Sequence, residues 1–394
     1  MSKMLTVEQR GVYTDLMRKF RNEGHSVYVA SPTERRDGRK TSVLKEDGVQ
    51  ILSVRTLNVQ KTNIIEKGIG QVSIEFLYKR AIKKYFKDLR FDLILYSTPP
   101  ITFSKVIAYL RKTNPDAKTY LLLKDIFPQN AIDMGMLSKS GLKGLLYKFF
   151  RAKEKKLYAL SDYIGCMSPA NVKYVLENNP EIPPFKVEVA PNSIELSETE
   201  KLPDKSILVK YDLPAGKPIF IYGGNLGAPQ GIPFLIRCLE ANADREDCHF
   251  VVVGNGTCYQ KLADWFETRK PRAVSLMKGL PKEEYDKLVK ACQVGMIFLD
   301  YRFTIPNFPS RLLSYLDNRM PVIACTDVNC DMGYIAETNG FGYWCPSNSV
   351  SDFSAAVDKM LESDITRMGE NGYEFFLNNY TVDQTYRTII SKIM

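Results

Sequence analysis

The sequence predicts an α/β protein of two Rossmann-like domains, each an open parallel sheet covered by helices. Short apolar runs of strand length alternate with helical stretches, a pattern typical of parallel sheets. The alternation stops at a polar stretch near residues 191–205 and then starts again. At 394 residues the chain is also too long for one hydrophobic core. We expect one domain over 1–195, a second over 206–364, and C-terminal helices over 365–394 that return to the first.

The first predicted element is a helix over residues 8–23, where Val12, Leu16 and Phe20 recur every four residues. Only residues 1–5 precede it, so the strand that normally opens an α/β domain is missing or a stub. The strands that we predict in this domain lie at residues 26–30, 50–54, 92–96, 118–123, 163–167 and 187–190.

Loops at the carboxyl ends of parallel strands are where such domains bind ligands. Ser97 and Thr98 follow one predicted strand and Asp125 follows another. We expect Asp125 at the mouth of a cleft, although a role in a turn or helix cap is an equal alternative.

Positive charge is concentrated in the first half of the chain. Residues 1–190 carry a net charge of +14 and the remainder −5. This favours a polyanionic partner, either nucleic acid or an anionic membrane surface, and the alternative is a solvated Lys-rich surface. No nucleic-acid-binding motif is present.

A predicted helix over residues 141–156 is both apolar and basic. Its apolar residues are Leu142, Leu145, Leu146, Phe149 and Phe150, and its cations include Lys148 and Arg151. This composition suits a helix lying on anionic lipid. The alternative is that the apolar residues pack on the sheet.

Composition excludes several classes of protein. The eight cysteines show no CxxC spacing and there are two histidines, so neither a disulfide framework nor a zinc site is predicted. No apolar run is long enough to span a bilayer and the N-terminus does not resemble a secretion signal. We expect a cytoplasmic protein.

The second domain places glycine-rich turns after its first two strands. Its predicted strands lie at residues 218–222, 250–253, 273–277, 294–299, 321–324 and 342–344. The turns are 222–231 and 254–256, and glycine lets a backbone approach a ligand closely. Neither turn matches GxGxxG or the P-loop, which argues against a nicotinamide enzyme or an ATPase.

The segment from Asn307 to Ala324 concentrates the expected function. A helix over 309–318, with Pro309 in its first turn, would leave amides near Ser310 and Arg311 free. Helical periodicity places Ser310, Arg311 and Ser314 on one face. This face suits a phosphate or diphosphate, and the alternative is an ordinary amphipathic helix with a solvated arginine.

Taken in order, these segments resemble glycosyltransferase family 4 of the GT-B fold, in particular bacterial enzymes of capsule, O-antigen or exopolysaccharide synthesis. The resemblance covers nearly the whole chain. The matching segments are Gly24–Val27, Ser97–Pro100, Asp125–Pro128 with Gly135, Ser168, Ala190–Ser193, Gly224–Gly231, Gly254–Gly256, Gly279 before Glu283, Pro309–Arg311 with Tyr315, and Pro321–Ala324.

The resemblance implies retaining, metal-independent transfer of a sugar from a nucleotide diphosphate donor to an acceptor hydroxyl. It places catalysis at Asp125 and Arg311, and the acceptor or membrane side at Ser97, Thr98, Lys148 and Arg151. The implied donor-binding residues are Gly224, Asn225, Gly227, Gln230, Asn255, Gly256, Gly279, Leu280, Asn307, Ser310, Arg311 and Ser314. The implied acceptor is a lipid-linked glycan or oligosaccharide at the inner membrane face, and no cofactor beyond the donor is expected.

This chain departs from the family pattern at three places. Pro306 and Ser314 stand where two glutamates eight positions apart are common, and Asn225 and Gln230 stand where an Arg and a Lys are common. The first strand and its glycine loop are missing. The absent glutamates and first strand favour one alternative, a noncatalytic GT-B-like partner subunit. A nucleotide-sugar epimerase is a second alternative, which the presence of only two histidines in the sequence disfavours.

Overall fold

The computed structural model describes residues 6–58, 64–197 and 204–393. The chain divides into two compact units, Met1–Glu195 with Thr381–Met394 and Leu196–Tyr380. The expected strand stub at residues 1–5 lies outside the described residues, as do residues 198–203 of the polar stretch.

Unit 1 is an α/β unit with seven strands among its described residues. Its strands are β1 Val27–Glu34, β2 Ser42–Glu46, β3 Val49–Thr56, β4 Leu93–Ser97, β5 Lys118–Leu123, β6 Tyr163–Cys166 and β7 Val187–Val189. Its helices are α1 Val12–Asn22, α2 Ile64–Tyr85, α3 Ser104–Thr113, α4 Gln129–Asp133, α5 Gly141–Leu160 and α6 Pro169–Asn178, and α15 Val382–Ile390 from the end of the chain.

The strands of unit 1 form two sheets instead of the single sheet that we expected. One sheet has the order β1-β3-β2, with β2 antiparallel, and the other has the parallel order β4-β5-β6-β7. Sequence analysis missed β2, which is mostly exposed and lacks an apolar run. Because β1 and β4 are each the last strand of their sheet, the break falls between them.

Unit 2 contains one six-stranded parallel sheet. Its strands are β8 Ile219–Asn225, β9 His249–Asn255, β10 Val274–Met277, β11 Val294–Phe298, β12 Val322–Thr326 and β13 Gly342–Pro346. Its helices are α7 Ser206–Lys210, α8 Ile232–Ala241, α9 Tyr259–Arg269, α10 Lys282–Ala291, α11 Arg311–Asp317, α12 Met332–Thr338, α13 Val350–Leu361 and α14 Ile365–Asn379.

The sheet of unit 2 is buried on both faces, which explains the continuous apolar runs of its strands. β8, β9, β11 and β12 are buried along nearly their whole length. On one face, Phe220, Phe250, Phe298 and Phe353 form a chain of ring contacts. This core fixes the ends of the strands, from which the candidate site is built.

The end of the chain returns to unit 1 at Thr381, later than the predicted boundary at residue 365, so α14 belongs to unit 2. Tyr386 of α15 packs edge-on against Phe20 of α1, with ring centroids 5.0 Å apart. Its hydroxyl also lies 2.9 Å from Nε2 of His25. His25 therefore helps to hold α15 against α1.

Candidate donor site and its relatives

The topological switch point of unit 2 lies between β8 and β11. The sheet order is β10-β9-β8-β11-β12-β13. From β8 the chain adds β9 and β10 on one side of the sheet, and from β11 it adds β12 and β13 on the other side. Ligands of open α/β sheets bind at the carboxyl ends of the strands at this point. The glycine turn follows β8, and the segment that carries Arg311 follows β11.

The turn after β8 is held by side-chain amides. Oε1 of Gln230 accepts hydrogen bonds from Nδ2 of Asn225 (2.8 Å) and from the main-chain amide of Gly227 (3.2 Å). Gly224 has φ +124°, a conformation that favours glycine. The two predicted diphosphate residues Asn225 and Gln230 therefore shape this turn, and a bound anion would compete with Gln230 for the Gly227 amide.

The turn after β9 lies directly beside the first. Gly254 pairs with Gly224 and Asn255 with Asn225. A side chain at Gly254 would place its Cβ 2.0 Å from the carbonyl oxygen of Gly224, and one at Gly256 would place it 2.3 Å from that of Leu226. These glycines therefore allow the two turns to pack together.

The predicted Gly279 and Leu280 adjoin the same turn. In the orientation that suits its neighbours, the side-chain oxygen of Asn255 accepts a hydrogen bond from the main-chain N–H of Gly279 at 3.3 Å. Gly279 is exposed and Leu280 is half-buried. The structure thus brings Gly224, Asn225, Asn255, Gly256 and Gly279 onto one surface.

Arg311 lies against this surface. Its guanidinium carbon is 4.2 Å from the centroid of the Tyr222 ring, and a Cβ at Gly224 would be 3.6 Å from its Nη2. Its Nη1 is buried and has no hydrogen-bond partner among the described residues. Within the same residues Arg311 forms no ion pair with a carboxylate. A buried cation without a counter-ion is costly, so this place favours an anionic ligand.

The helix around Arg311 differs from the prediction in its first turn. α11 begins at Arg311, so Pro309 precedes it, and the amides of Leu312 and Leu313 donate to the carbonyls of Pro309 and Ser310. These bonds involve the next two amides along the helix, so the expected free amides near Ser310 and Arg311 stay a prediction. The Arg311 side chain, with the glycine turn, remains as the anion-binding feature.

The other predicted donor residues lie on the same segment. Ser310 is exposed, Ser314 is half-buried, and Leu312, Leu313 and Leu316 are buried as their periodicity predicts. Nδ2 of Asn307 is buried without a hydrogen-bond partner in the described part of the chain. Asn307 is therefore a second unpaired donor group near Arg311 in sequence.

Three tyrosines surround Arg311, and sequence analysis did not predict this grouping although it named Tyr315 and the turn that begins at Tyr222. Tyr222, Tyr315 and Tyr285 are the ionisable residues that act on the Arg311 charge. Burial raises the pKa of Tyr285 to about 12, so this hydroxyl stays neutral at physiological pH. A Cβ at Gly223 would lie 1.9 Å from the Tyr285 hydroxyl. Buried tyrosines in apolar strands and helices resemble ordinary core residues, so the sequence held no signal for this role.

In unit 1, Asp125 lies just beyond the carboxyl end of β5. Burial raises the pKa of its carboxyl to about 6. A hydrogen bond from Asn130 lowers the same pKa, but by less. That bond joins Nδ2 of Asn130 to Oδ1 of Asp125 at 2.7 Å. Lys124 beside it is half-buried, and loss of hydration lowers the pKa of its ammonium group to about 7. Asp125 therefore combines a fixed orientation with a pKa near neutrality.

Thr98 positions the Asp125 backbone. Its buried hydroxyl donates to the Asp125 carbonyl (3.2 Å) and accepts from the amide of Lys124 (3.1 Å). Ser97 lies beside Tyr13 of α1 and partly offsets the rise that burial causes in the pKa of the Tyr13 hydroxyl. The structure brings Thr98 and Asp125 together, with Thr98 in a supporting position.

The apolar stripe of α5 faces solvent. Leu142, Leu145, Leu146 and Phe149 are 87%, 64%, 45% and 44% exposed, so packing on the sheet is wrong for these four. Phe150 alone turns inward and packs on Phe127, with ring centroids 5.0 Å apart.

The two predicted cations of this helix differ. Lys148 is exposed. Arg151 pairs with Glu154 (2.5 Å) and donates to Oδ1 of Asn179 (2.6 Å), so its guanidinium holds α5 against the end of α6. The structure therefore leaves Lys148 free to face an acceptor or membrane and uses Arg151 internally.

The described residues contain no cluster of three or more His, Cys, Asp or Glu that could hold a metal ion. Within the same residues no helix is long and apolar enough to cross a bilayer. All eight cysteines are free thiols. His249 is buried, and its Nε2 lies 2.8 Å from the Ser275 hydroxyl. This contact joins the neighbouring strands β9 and β10.

Comparison with solved structures defines the class of protein. Sucrose-phosphate synthase from Thermosynechococcus elongatus superposes with a TM-score of 0.75 at 14% identity, over 96% of this chain and 91% of that chain. An Escherichia coli trehalose-6-phosphate structure bound with UDP-2-fluoro glucose superposes with a TM-score of 0.74 at 13% identity, over 100% of this chain and 97% of that chain. The fold is GT-B.

Family comparisons narrow this class. The family Glycosyltransferase Family 4 matches residues 11–198, and Glycosyl transferases group 1 matches residues 204–375. The glycosyltransferase WbjE of Pseudomonas aeruginosa, named as probable, is 21% identical over 82% of this chain and 78% of its own. WcaI of Escherichia coli K12 is 22% identical over 74% of this chain and 71% of its own. Its name describes it as a putative colanic acid biosynthesis glycosyl transferase. The chain belongs to glycosyltransferase family 4.

Proposed function

We propose that this protein transfers a sugar, with retention of anomeric configuration, from a nucleotide diphosphate sugar to a hydroxyl of a glycan acceptor in surface polysaccharide synthesis. The observation that carries the proposal is Arg311, which lies beside Gly224, has a buried and unpartnered Nη1, and lacks a counter-ion in the described residues. The diphosphate of the donor supplies this counter-ion.

The chemistry needs little from a protein base. The bond between the anomeric carbon and the diphosphate oxygen breaks, and the acceptor oxygen bonds to the same carbon on the same face. The acceptor proton passes to the departing phosphate. Negative charge grows on the diphosphate, and a preorganised guanidinium with main-chain donors stabilises it. Because Arg311 supplies positive charge, we propose that the reaction proceeds without a metal ion.

The donor residues divide by their position on the site. Gly224, Asn225, Gly227 and Gln230 shape the turn for the diphosphate, with Arg311 and Ser310 beside it. Asn255, Gly256, Gly279 and Leu280 border the nucleoside, and Ser314 with Asn307 borders the ribose. The support for this division is that the turns after β8 and β9 are adjacent and exposed.

Asp125 orients the acceptor in this proposal. A carboxylate that is held by Asn130 and whose pKa lies near 6 can accept a hydrogen bond from a sugar hydroxyl at neutral pH. Ser97, Thr98 and Lys148 belong to the acceptor side of unit 1.

The acceptor is proposed to be a lipid-linked glycan at an anionic membrane. The solvent-facing stripe of α5, with Met136 exposed nearby, supports docking on a lipid surface with Lys143 and Lys148 near anionic headgroups. The WcaI name supports a role in polysaccharide synthesis.

A panel of nucleotide sugars incubated with bacterial lipid extract, with product detected by mass spectrometry, tests the proposal. We expect one donor to yield a glycosylated lipid, with the same anomeric configuration by NMR and unchanged yield in EDTA. Donor converted without acceptor would instead indicate the epimerase. Donor binding without transfer would favour the noncatalytic subunit, and absence of nucleotide binding would refute the donor site.

A further inference from the structure

The outer side of α2 is both basic and apolar. The inner side of this helix packs with β3 through the buried residues Ile74, Tyr78, Ala81 and Ile82. At 3.6 residues per turn, Phe76, Lys79 and Lys83 share the opposite side. Phe76 is 65% exposed, and Lys83 is exposed with Lys79 half-buried. This side of α2 therefore faces away from the core of unit 1.

Two lysines of this side converge on one ring. Nζ of Lys79 lies 5.8 Å, and Nζ of Lys83 5.0 Å, from the centroid of Tyr109 in α3. The ring attracts each ammonium group but neutralises neither. Neither lysine forms an ion pair with a carboxylate among the residues that the structure describes. Like charges one helical turn apart repel each other, so an anion between them would be stabilised.

The surroundings of these lysines contain an excess of positive charge. Residues 76–85 of α2 and the whole of α3 carry seven cations and no acidic residue. One of the seven, Arg111, pairs with Asp162. A surface of one sign of charge attracts ligands of the other sign, so this part of the basic half of the chain suits an anionic partner.

The buried carboxylate of Glu75 joins α2, α3 and α5. Its Oε1 accepts hydrogen bonds from the main-chain amide of Lys105 and from the Ser104 hydroxyl (3.4 Å), both at the start of α3. Its Oε2 lies 3.7 Å from Nζ of Lys153 in α5. Glu75 is 7% exposed. The three helices are therefore held together as one layer, and the positions of Lys79, Lys83 and Tyr109 are set before a ligand binds.

Apolar exposure at the same layer favours lipid over nucleic acid. Nζ of Lys153 lies 5.7 Å from the Phe149 ring centroid, so Lys153 links the exposed stripe of α5 to Glu75, which directly precedes Phe76. Exposed aromatic side chains among lysines are typical of surfaces that lie on anionic lipid. A nucleic acid would satisfy the lysines but would leave the leucines of α5 exposed.

We propose that Lys79, Lys83 and Tyr109 form a binding site for the phosphate group of an anionic phospholipid, and that Phe76 enters the membrane interface beside it. The phosphate lies between the two ammonium groups and cancels their repulsion. The site extends the membrane contact of α5 and rests on that part of the proposed function, but it requires neither a sugar donor nor sugar transfer.

Flotation of the full chain with phosphatidylcholine vesicles, with and without phosphatidylglycerol, tests the lysines. Lys79→Gln with Lys83→Gln should lower partitioning onto the anionic vesicles about 25-fold, since each lysine at an anionic surface contributes roughly fivefold. Partitioning onto phosphatidylcholine alone should not change.

The matched control is Lys287→Gln with Lys290→Gln in α10, which removes one exposed and one half-buried lysine from a helix of unit 2. This control should float like the parent protein. Equal losses in the two double variants would show an effect of net charge alone and would overturn the site.

Phe76→Trp reports insertion directly. The two native tryptophans, Trp265 and Trp344, both belong to unit 2. The emission of the new tryptophan should move to shorter wavelength when phosphatidylglycerol vesicles are added. Phe185→Trp is the control, because Phe185 is 73% exposed in unit 1 but lies outside the layer of α2, α3 and α5. No shift at position 76, or equal shifts at both positions, would overturn the insertion of Phe76.

A single-stranded oligonucleotide tests the other polyanion. We expect the substitution of Lys79 and Lys83 to affect vesicle binding far more than oligonucleotide binding, and Phe76→Ser to lower vesicle binding. The reverse pattern would overturn the proposal in favour of nucleic acid. Since flotation needs no sugar donor, a protein that transfers no sugar but loses flotation with the two lysines would refute the proposed function and retain this site.

Discussion

The guanidinium carbon of Arg311 lies 4.2 Å from the centroid of the Tyr222 ring. A cation over an aromatic face is stabilised by the ring quadrupole, but the ring does not neutralise the charge. The arginine comes from the segment after β11 and the tyrosine from β8, two neighbouring strands of the sheet. The contact therefore fixes a positive charge beside the glycine turn before any ligand arrives.

Arg311→Gln should remove this charge and keep the side-chain stem. Hydrogen bonds to charged groups contribute about 1.5–3 kcal/mol, so we expect the Kd for a nucleoside diphosphate to rise about 10- to 100-fold. Transfer should fall further, by about 100- to 1,000-fold in kcat, because the charge is needed most in the transition state. Calorimetry with UDP and GDP, and the transfer assay, measure the two effects.

Arg319→Gln is the matched control. Arg319 also belongs to unit 2 and stacks on a tyrosine, with its guanidinium carbon 3.8 Å from the Tyr373 centroid, but it is paired with Glu370. Its substitution should leave nucleotide affinity unchanged. Equal losses in both variants would show that Arg311 acts through stability alone.

Gly279→Ala tests the nucleoside side of the site. A Cβ at this position would lie 2.3 Å from the end of the Asn255 side-chain amide, so that side chain must move. We expect weaker nucleotide binding with an almost unchanged Tm, since a flexible side chain can yield. Gly216→Ala is the control, because nothing lies within 4 Å of a Cβ there. Loss of folding in Gly279→Ala would indicate a packing role instead.

The sequence predicted unit 2 well because its signals are local. Its six strands were all predicted, since a strand buried on both faces is a continuous apolar run. The glycine turns and Arg311 were identified from residue type and order. The tyrosines around Arg311 were not, because their grouping depends on which strands and helices become neighbours in the folded sheet.

Unit 1 was predicted less completely for the same reason. β2 pairs only through exposed and half-buried residues, so no apolar periodicity marks it. The division into two sheets follows from the pairing partners of β1 and β4, which local patterns do not specify. For α5 the sequence left two alternatives open. Exposure of the apolar stripe excludes packing on the sheet for four of its residues, and contact with lipid stays a prediction.

Asp125→Asn should separate catalysis from stability. The pKa of Asp125 is raised from 3.8 to about 6 by burial, so the folded protein holds this proton more tightly than the unfolded chain does. Stability therefore falls as the pH rises from about 4 to about 6. At pH 7.5 the asparagine variant should be more stable, by about 3 kcal/mol, and at pH 4 this gain should vanish.

The same substitution should lower transfer at least 100-fold at pH 7.5, and wild-type kcat/KM should decline below about pH 6 as the carboxylate is protonated. Thermal unfolding and transfer rates across this pH range measure both effects. Asp133→Asn is a nearby carboxylate control. Full activity in Asp125→Asn would exclude Asp125 from the reaction.

Replacing Leu145 and Phe149 together by serine should detach the protein from anionic vesicles. These side chains are 64% and 44% exposed, so the folded unit loses little packing. Burying an apolar side chain in lipid contributes up to about 1.5–3 kcal/mol, so partitioning onto mixed phosphatidylcholine and phosphatidylglycerol vesicles should fall at least about tenfold. Flotation measures this loss. Val209→Ser, at an exposed apolar residue of unit 2, should still float, and equal flotation of all variants would refute the α5 surface.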